Sequence, residues 1–185
     1  MPVGKTLEHF DFEVCPQVKR QPIAELAHDA HWMERAENLL LFGPSGVGKT
    51  HLAAAIGHGL VAQGKRVRFL SATHLVQQLQ IAKQELRLIE AIGRLDKFAL
   101  LILDDIGSVK KSELETSVLF ERIAHRYESG SLLITCNPPF SEWDSIFADT
   151  MMTVAAIDRL VHHAQIIEIR AESYRKTQSL RRKSH

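Results

Sequence analysis

The chain has 185 residues, enough for one domain with a sizeable core. Apolar residues make up 45% and charged residues 24%, and the net charge of +1 gives no bulk sign of a nucleic-acid binder. Cys15 and Cys136 stand too far apart for a disulfide framework or a zinc spacing, no apolar run approaches the roughly 18 residues of a membrane helix, and the first six residues lack a signal peptide's apolar stretch, so a cytoplasmic protein with no membrane partner is expected.

Residues 1–37 are weakly periodic and broken by Pro2, Pro16 and Pro22; they are expected to pack on a core that follows. Gly4-Lys5-Thr6 imitates the end of a phosphate loop, but no strand precedes it, and a disordered start is expected there. Asn38 to Phe42 is a short apolar run ending at glycine, which predicts a buried strand. From Lys49 to Gln63, Leu52, Ile56 and Leu60 recur every four residues, and Gly64 supplies a stop, which predicts a helix. Val67 to Leu70 predicts a second strand, and Thr73 to Ile92 a helix with an internal break. Ala99 to Leu103 is five apolar residues in a row, the pattern of a strand covered on both faces. Ser112 with Glu115 three positions on predicts a capping box, opening a helix that Gly130 closes. Leu132 to Thr135 predicts a fourth strand, Ala155 to His162 a helix, and Ile166 to Ile169 a fifth strand. Strands separated by helices indicate an α/β fold with a parallel sheet covered on both sides. The core is expected over 38–178, with a basic tail at 179–185. Arg170, Arg175, Lys176, Arg181, Arg182 and Lys183 face one acid, Glu172; a solvated tail and a contact to a phosphate backbone both fit.

Gly43-Pro44-Ser45-Gly46-Val47-Gly48-Lys49-Thr50 fits G-x-x-x-x-G-K-[ST]. A phosphate chain needs several backbone N–H donors turned inward, and a glycine-rich turn lets the backbone approach that closely. The helix from Lys49 adds its positive end. Lys49 supplies a full charge to the β- and γ-phosphates, Thr50 a hydroxyl for Mg²⁺, and His51 follows directly. The loop follows a strand and opens a helix, as the motif requires.

Asp104 and Asp105 end the apolar run, where carboxylates at the C-terminal edge of a parallel strand reach the ligand crevice. Asp104 suits the Mg²⁺ sphere through water, and Asp105 could polarise a water beside the γ-phosphate. Asn137 follows the fourth strand; it could hold that water, or simply start the turn into Pro138. Arg159 and Arg175 taken alone read as solvated arginines. The ten histidines predict no metal site: His162 and His163 are adjacent, so on a helix they face apart, and no carboxylate stands at ligand spacing.

Taken together, these segments resemble the IstB/DnaC-like branch of the AAA+ ATPases. The likeness is carried by Thr6-Leu7-Glu8-His9-Phe10-Asp11-Phe12, the phosphate loop with His51-Leu52-Ala53, and Leu101 to Gly107. It continues through Arg126 to Ser131, Thr135 to Trp143, Asp158 to His163 and Glu172 to Arg175, nearly the whole chain. The later segments favour IstB, the ATPase helper of a transposase, over the helicase loader DnaC. The resemblance implies a P-loop NTPase of AAA+ type, a five-stranded parallel sheet flanked by helices with a minimal or absent lid. It implies ATP with Mg²⁺, hydrolysis, an ATP-dependent oligomer, double-stranded DNA and a transposase as partners, with a replicative helicase as the alternative. Asn137 would be the sensor-1 residue, Arg159 the arginine finger acting on a neighbouring subunit's nucleotide, and Arg175 the sensor-2 arginine. The family mostly carries Glu where this chain has Asp105, which implies slow turnover or a nucleotide-gated binding module. It also carries a region before the Thr6 segment, used for partner contacts or assembly, that this sequence does not include. A small-molecule kinase shares the phosphate loop, but no segment reads as its acceptor pocket or arginine-bearing lid.

Overall fold

The computed structural model describes residues 1–107 and 110–170. In chain order the elements are α1 (Arg20–His28), α2 (His31–Glu34), β1 (Asn38–Phe42), α3 (Lys49–Ala62), β2 (Val67–Ser71), α4 (Ala72–Gln84) and α5 (Leu88–Leu95). They continue with β3 (Leu100–Asp104), α6 (Glu113–Arg126), β4 (Ser131–Cys136), a 3₁₀ turn (Phe140–Ser145), α7 (Thr150–His162) and β5 (Ala164–Glu168).

The five strands form one parallel sheet in the order β2-β3-β4-β1-β5. β1 and β4 are buried along their whole length, as strands covered on both faces must be. Their side chains alternate between two apolar layers. Leu40, Phe42, Leu101, Leu103, Leu132 and Ile134 face α4 to α7, whereas Leu39, Leu41, Leu100, Ile102 and Leu133 face α3 and the N-terminal segment. Each such buried leucine or isoleucine contributes about 1.5–3 kcal/mol over an exposed one.

The expected break in the Thr73–Ile92 helix falls at Glu85–Arg87, where Leu86 takes φ 56°. The helix expected to close at Gly130 ends earlier, at Arg126, and a turn carries the chain on to Gly130. The helix expected from Ala155 starts at Thr150, because Asp149 caps it by accepting from the Met152 N–H at 2.8 Å.

Residues 1–18 are not a loose start. His51 Nε2 donates to the Thr6 carbonyl at 2.8 Å, so the Gly4-Lys5-Thr6 stretch lies against the first turn of α3. Leu7, Phe10, Cys15 and Val18 are buried in the same layer as Leu52 and Ile56. The reason is spatial: α1 packs on α3 so closely that a Cβ on Gly59 would sit 2.6 Å from the Ala27 carbonyl. This contact leads the preceding residues across the helix N-terminus.

Candidate functional site

β1 lies between β4 and β5 and ends at the phosphate loop, with β3 on the far side of β4. Gly46 and Gly48 have φ of 85° and 97°, the left-handed region where side chains are strained. Successive turns of this type gather backbone N–H groups around one concavity, suited to an anion. Gly43 is demanded by packing as well, since a Cβ there would lie 2.4 Å from the Ile169 carbonyl. A Cβ on Gly48 would meet the Phe10 ring at 2.7 Å.

The loop opens on a cavity of about 500 Å³. Ser45 to His51 form its floor, Asp104, Asp105, Thr135 and Asn137 one wall, and Lys5, His9, Phe10, Val14 and Cys15 the other. Lys49 is buried, and its ammonium donates to the Gly43 carbonyl at 2.8 Å and the Pro44 carbonyl at 2.7 Å. Holding the ammonium at the loop's own mouth keeps a full positive charge where phosphate oxygens would lie. His51 also borders the cavity, but its Nε2 is engaged by Thr6, so its role includes holding the N-terminal wall. Its ring meets Phe10 edge-on at 5.3 Å between centroids.

The acidic wall is organised by a residue that the sequence did not single out. Thr135 Oγ1 donates to Asp104 Oδ1 at 2.7 Å and accepts from the Asp105 N–H at 2.8 Å. One buried hydroxyl therefore orients the first carboxylate and holds the backbone of the second, which has φ 63°. That left-handed conformation is uncommon for a residue with a side chain and costs on the order of 1–3 kcal/mol. The Ile106 N–H, donating to the Thr135 carbonyl at 3.0 Å, closes the same stitch. Nearby, burial pulls the Lys111 ammonium below the ordinary lysine range, while the charges of Glu115 and Asp105 oppose that shift. On the other wall, burial raises the Cys15 thiol, whose Sγ donates to the Val47 carbonyl of the phosphate loop. Cys136, beneath Asn137, is pushed up to about 12, chiefly by burial.

The fold thus brings Lys49, Thr50, Asp104, Asp105 and Asn137 around one cavity. It does not bring Arg159 there. Arg159 lies on α7 in a separate hollow with Glu128 and His163, and its Nη1 donates to the Ala155 carbonyl at 2.9 Å. Arg175 and the basic residues beyond it lie outside the described residues. No carboxylate stands at ligand spacing from the histidine pair in the sequence, but the fold brings a distant one beside it: Glu128, His162 and His163 offer ligand atoms all within 4.8 Å of one another. Sequence reasoning also missed Thr135 and the Phe10–Cys15 wall. The only local signal for the latter was an aromatic, apolar segment with no evident partner.

The family model described as IstB-like ATP binding protein matches residues 1–182. The chain belongs to that family. A relative from Sinorhizobium fredii, named an insertion sequence ATP-binding protein, is 52% identical over the whole chain. The ATP-binding protein of insertion sequence IS21 from Pseudomonas aeruginosa is 43% identical over 95% of it. The chain spans 62% of the first relative's length and 66% of the second's. Among solved structures, the DnaC helicase loader superposes with TM-score 0.75 at 22% identity, over 90% of this chain and 97% of that one. AMPPCP-bound DnaA from Aquifex aeolicus superposes with TM-score 0.73 at 19% identity, over 98% of this chain and 55% of that one. At these identities the structures establish the fold, a P-loop domain of AAA+ type. No helix among the described residues is long and apolar enough to cross a membrane.

Proposed function

We propose that this IstB-like chain is an ATPase that works as a DNA-associated transposition helper, regulating a transposase. The gathering of Lys49, Thr50, Asp104, Asp105 and Asn137 around one cavity carries the reading, in a family whose relatives are named for insertion sequences. Lys49 neutralises the β- and γ-phosphates, and the inward N–H groups of the glycine loop hold the chain between them. The Thr50 hydroxyl and the Asp104 carboxylate are hard oxygen donors of the kind Mg²⁺ takes, directly or through water. Bound there, the ion would neutralise charge on the phosphate oxygens. Asp105 polarises the attacking water and Asn137 holds it. Arg159, which lies away from its own chain's cavity, acts on the nucleotide of a neighbouring copy, so turnover depends on assembly. Such a trans arginine is worth about 10³–10⁵ in rate in GTPases. Arg175, outside the described residues, takes the sensor-2 role that the family resemblance implies, acting on the γ-phosphate bound by its own chain.

The test is ATP affinity and turnover, with and without double-stranded DNA. Lys49→Ala removes a charge-assisted contact and is expected to weaken ATP about 10- to 100-fold. Unchanged binding and turnover in that variant sinks the proposal. Stimulation by single-stranded DNA alone, with binding to a replicative helicase, moves the reading to a helicase loader.

A second reading, a nucleotide-gated switch with slow hydrolysis, is favoured by Asp105 itself. Its side chain is one methylene shorter than glutamate, and its backbone is held at φ 63°. Asp105→Glu discriminates: a severalfold rise in turnover identifies the natural protein as a slow switch, and a fall assigns the aspartate to efficient catalysis.

A further inference from the structure

α6 and α7 pack along each other, and their C-terminal ends meet on the surface. Three metal-binding side chains come together at that meeting point. Glu128 lies in the turn after α6, with φ 59°. His162 is the last residue of α7, and His163 follows it. On a continuing helix these adjacent histidines would diverge. Here the helix stops between them: His163 takes φ −130° and ψ 73°, and its carbonyl accepts from the Asn38 N–H at 2.7 Å. The two imidazoles consequently lie beside each other, with ring centroids 4.1 Å apart. The Tyr127 hydroxyl sits 2.9 Å from Nδ1 of His162, a hydrogen bond that fixes the ring's orientation. Metal-bound histidines are held by such outer partners as a rule.

From this geometry we infer that Glu128, His162 and His163 form a binding site for a divalent transition-metal ion, with zinc as the best-matched chemistry. Two imidazoles and one carboxylate are the donor set of a three-ligand zinc site, with water in the fourth position. Nitrogen donors favour this class over Mg²⁺ and Ca²⁺, which take oxygen. Donors on a tetrahedral zinc lie about 3.3 Å apart, given bonds of 2.0–2.1 Å. The three groups already lie within 4.8 Å of one another and are exposed, so small rotations about their side-chain bonds close the gap. Arg159 lines the same hollow, which limits affinity through repulsion, although its Nη1 is turned onto its own helix. Both cysteines are buried and do not compete. A bound ion would tie the end of α6 to the end of α7, one helical turn beyond Arg159.

The test is calorimetric titration of ZnCl₂ into the full chain, with Mg²⁺ in excess to occupy oxygen-only sites. The wild type is expected to take up one zinc per chain at this site. The double variant His162→Ala/His163→Ala should bind about 100-fold or more weakly, since outer partners alone are worth 10–100-fold. Glu128→Gln should fall between, and His28→Ala, on the remote surface of α1, should match the wild type. No saturable uptake by the wild type, or equal uptake by the double variant, overturns the inference. A second measurement needs no variant: cobalt(II) loaded into the wild type should develop the visible bands of a low-symmetry nitrogen–oxygen site. A spectrum indistinguishable from aqueous cobalt overturns it equally.

Discussion

Thr135 has the widest consequences of any single side chain at the nucleotide cavity. Its hydroxyl touches both acidic residues, donating to the carboxylate of one and accepting from the backbone of the other. Thr135→Val keeps the shape and deletes both bonds. We expect a stability loss of about 1–3 kcal/mol from the polar groups left without their partner, and a fall in kcat larger than the change in KM. Thr135→Ser should restore both. A denaturant melt paired with steady-state turnover checks this, and a variant that loses stability but keeps kcat assigns Thr135 to folding alone. The glycines and Lys49 were legible in the sequence because their requirements are local, set by a turn of eight residues. Thr135 was not, because its meaning arises from register. β3 pairs with β4 so that Leu103 lies opposite Ile134, and this places Asp104 and Thr135 side by side at the strand ends. Nothing within ten residues of Thr135 announces that neighbour.

At the scale of elements the same division holds. The α6 capping box is present in both directions: Glu115 N–H donates to Ser112 Oγ at 3.3 Å, and Ser112 N–H donates to Glu115 Oε2 at 2.8 Å. Three residues of spacing contain all its information. The junction of α5 with α6 depends instead on residues far apart in sequence. Asp96, just after α5, accepts from Arg122 Nη1 at 2.8 Å and pairs with His125 Nε2 at 2.8 Å. Arg122 is fully buried on α6, and its Nε and Nη2 find no hydrogen-bond partner among the described residues. Burial pushes the Asp96 carboxyl upward, but the hydrogen bonds and charges of Arg122 and His125 outweigh it and hold the group below the ordinary aspartate value of 3.8. A depressed carboxyl stabilises the fold at pH values above its unfolded pKa, and the effect fades as pH falls through the folded one. Asp96→Asn should therefore cost about 2 kcal/mol at neutral pH, less than the 3–5 kcal/mol of a fully buried pair because water screens Asp96. The gap to wild type should narrow as pH falls past the ordinary aspartate value of 3.8 and through the lower folded one, where the native carboxyl also protonates. Urea unfolding at neutral and at acid pH reads the difference, and a gap independent of pH contradicts the assignment.

For the molecule as a whole, the alternation of strands and helices was enough to place the parallel sheet, since period and length are sequence properties. The assignment of residues 1–18 to the cavity wall was not legible, and the expectation of disorder near Thr6 failed. A segment's order depends on what it packs against, and here the partners are Val47, Gly48 and His51, some 30 to 45 positions away. That placement has a thermodynamic corollary. Thr6, Phe10 and Cys15 all rest on the phosphate loop or the helix it opens, so a nucleotide held by the loop and the docking of this segment share one free energy. Coupling of this kind is reciprocal: if the docked segment tightens ATP by some factor, ATP must favour the docked segment by the same factor. ATP should thus slow proteolytic cutting between Thr6 and Cys15, and Phe10→Ala should weaken ATP while shrinking that protection in proportion. A cutting rate indifferent to saturating ATP would show the two events to be independent. If they are linked, the beginning of the chain reports on the occupancy of a site built mostly from its middle.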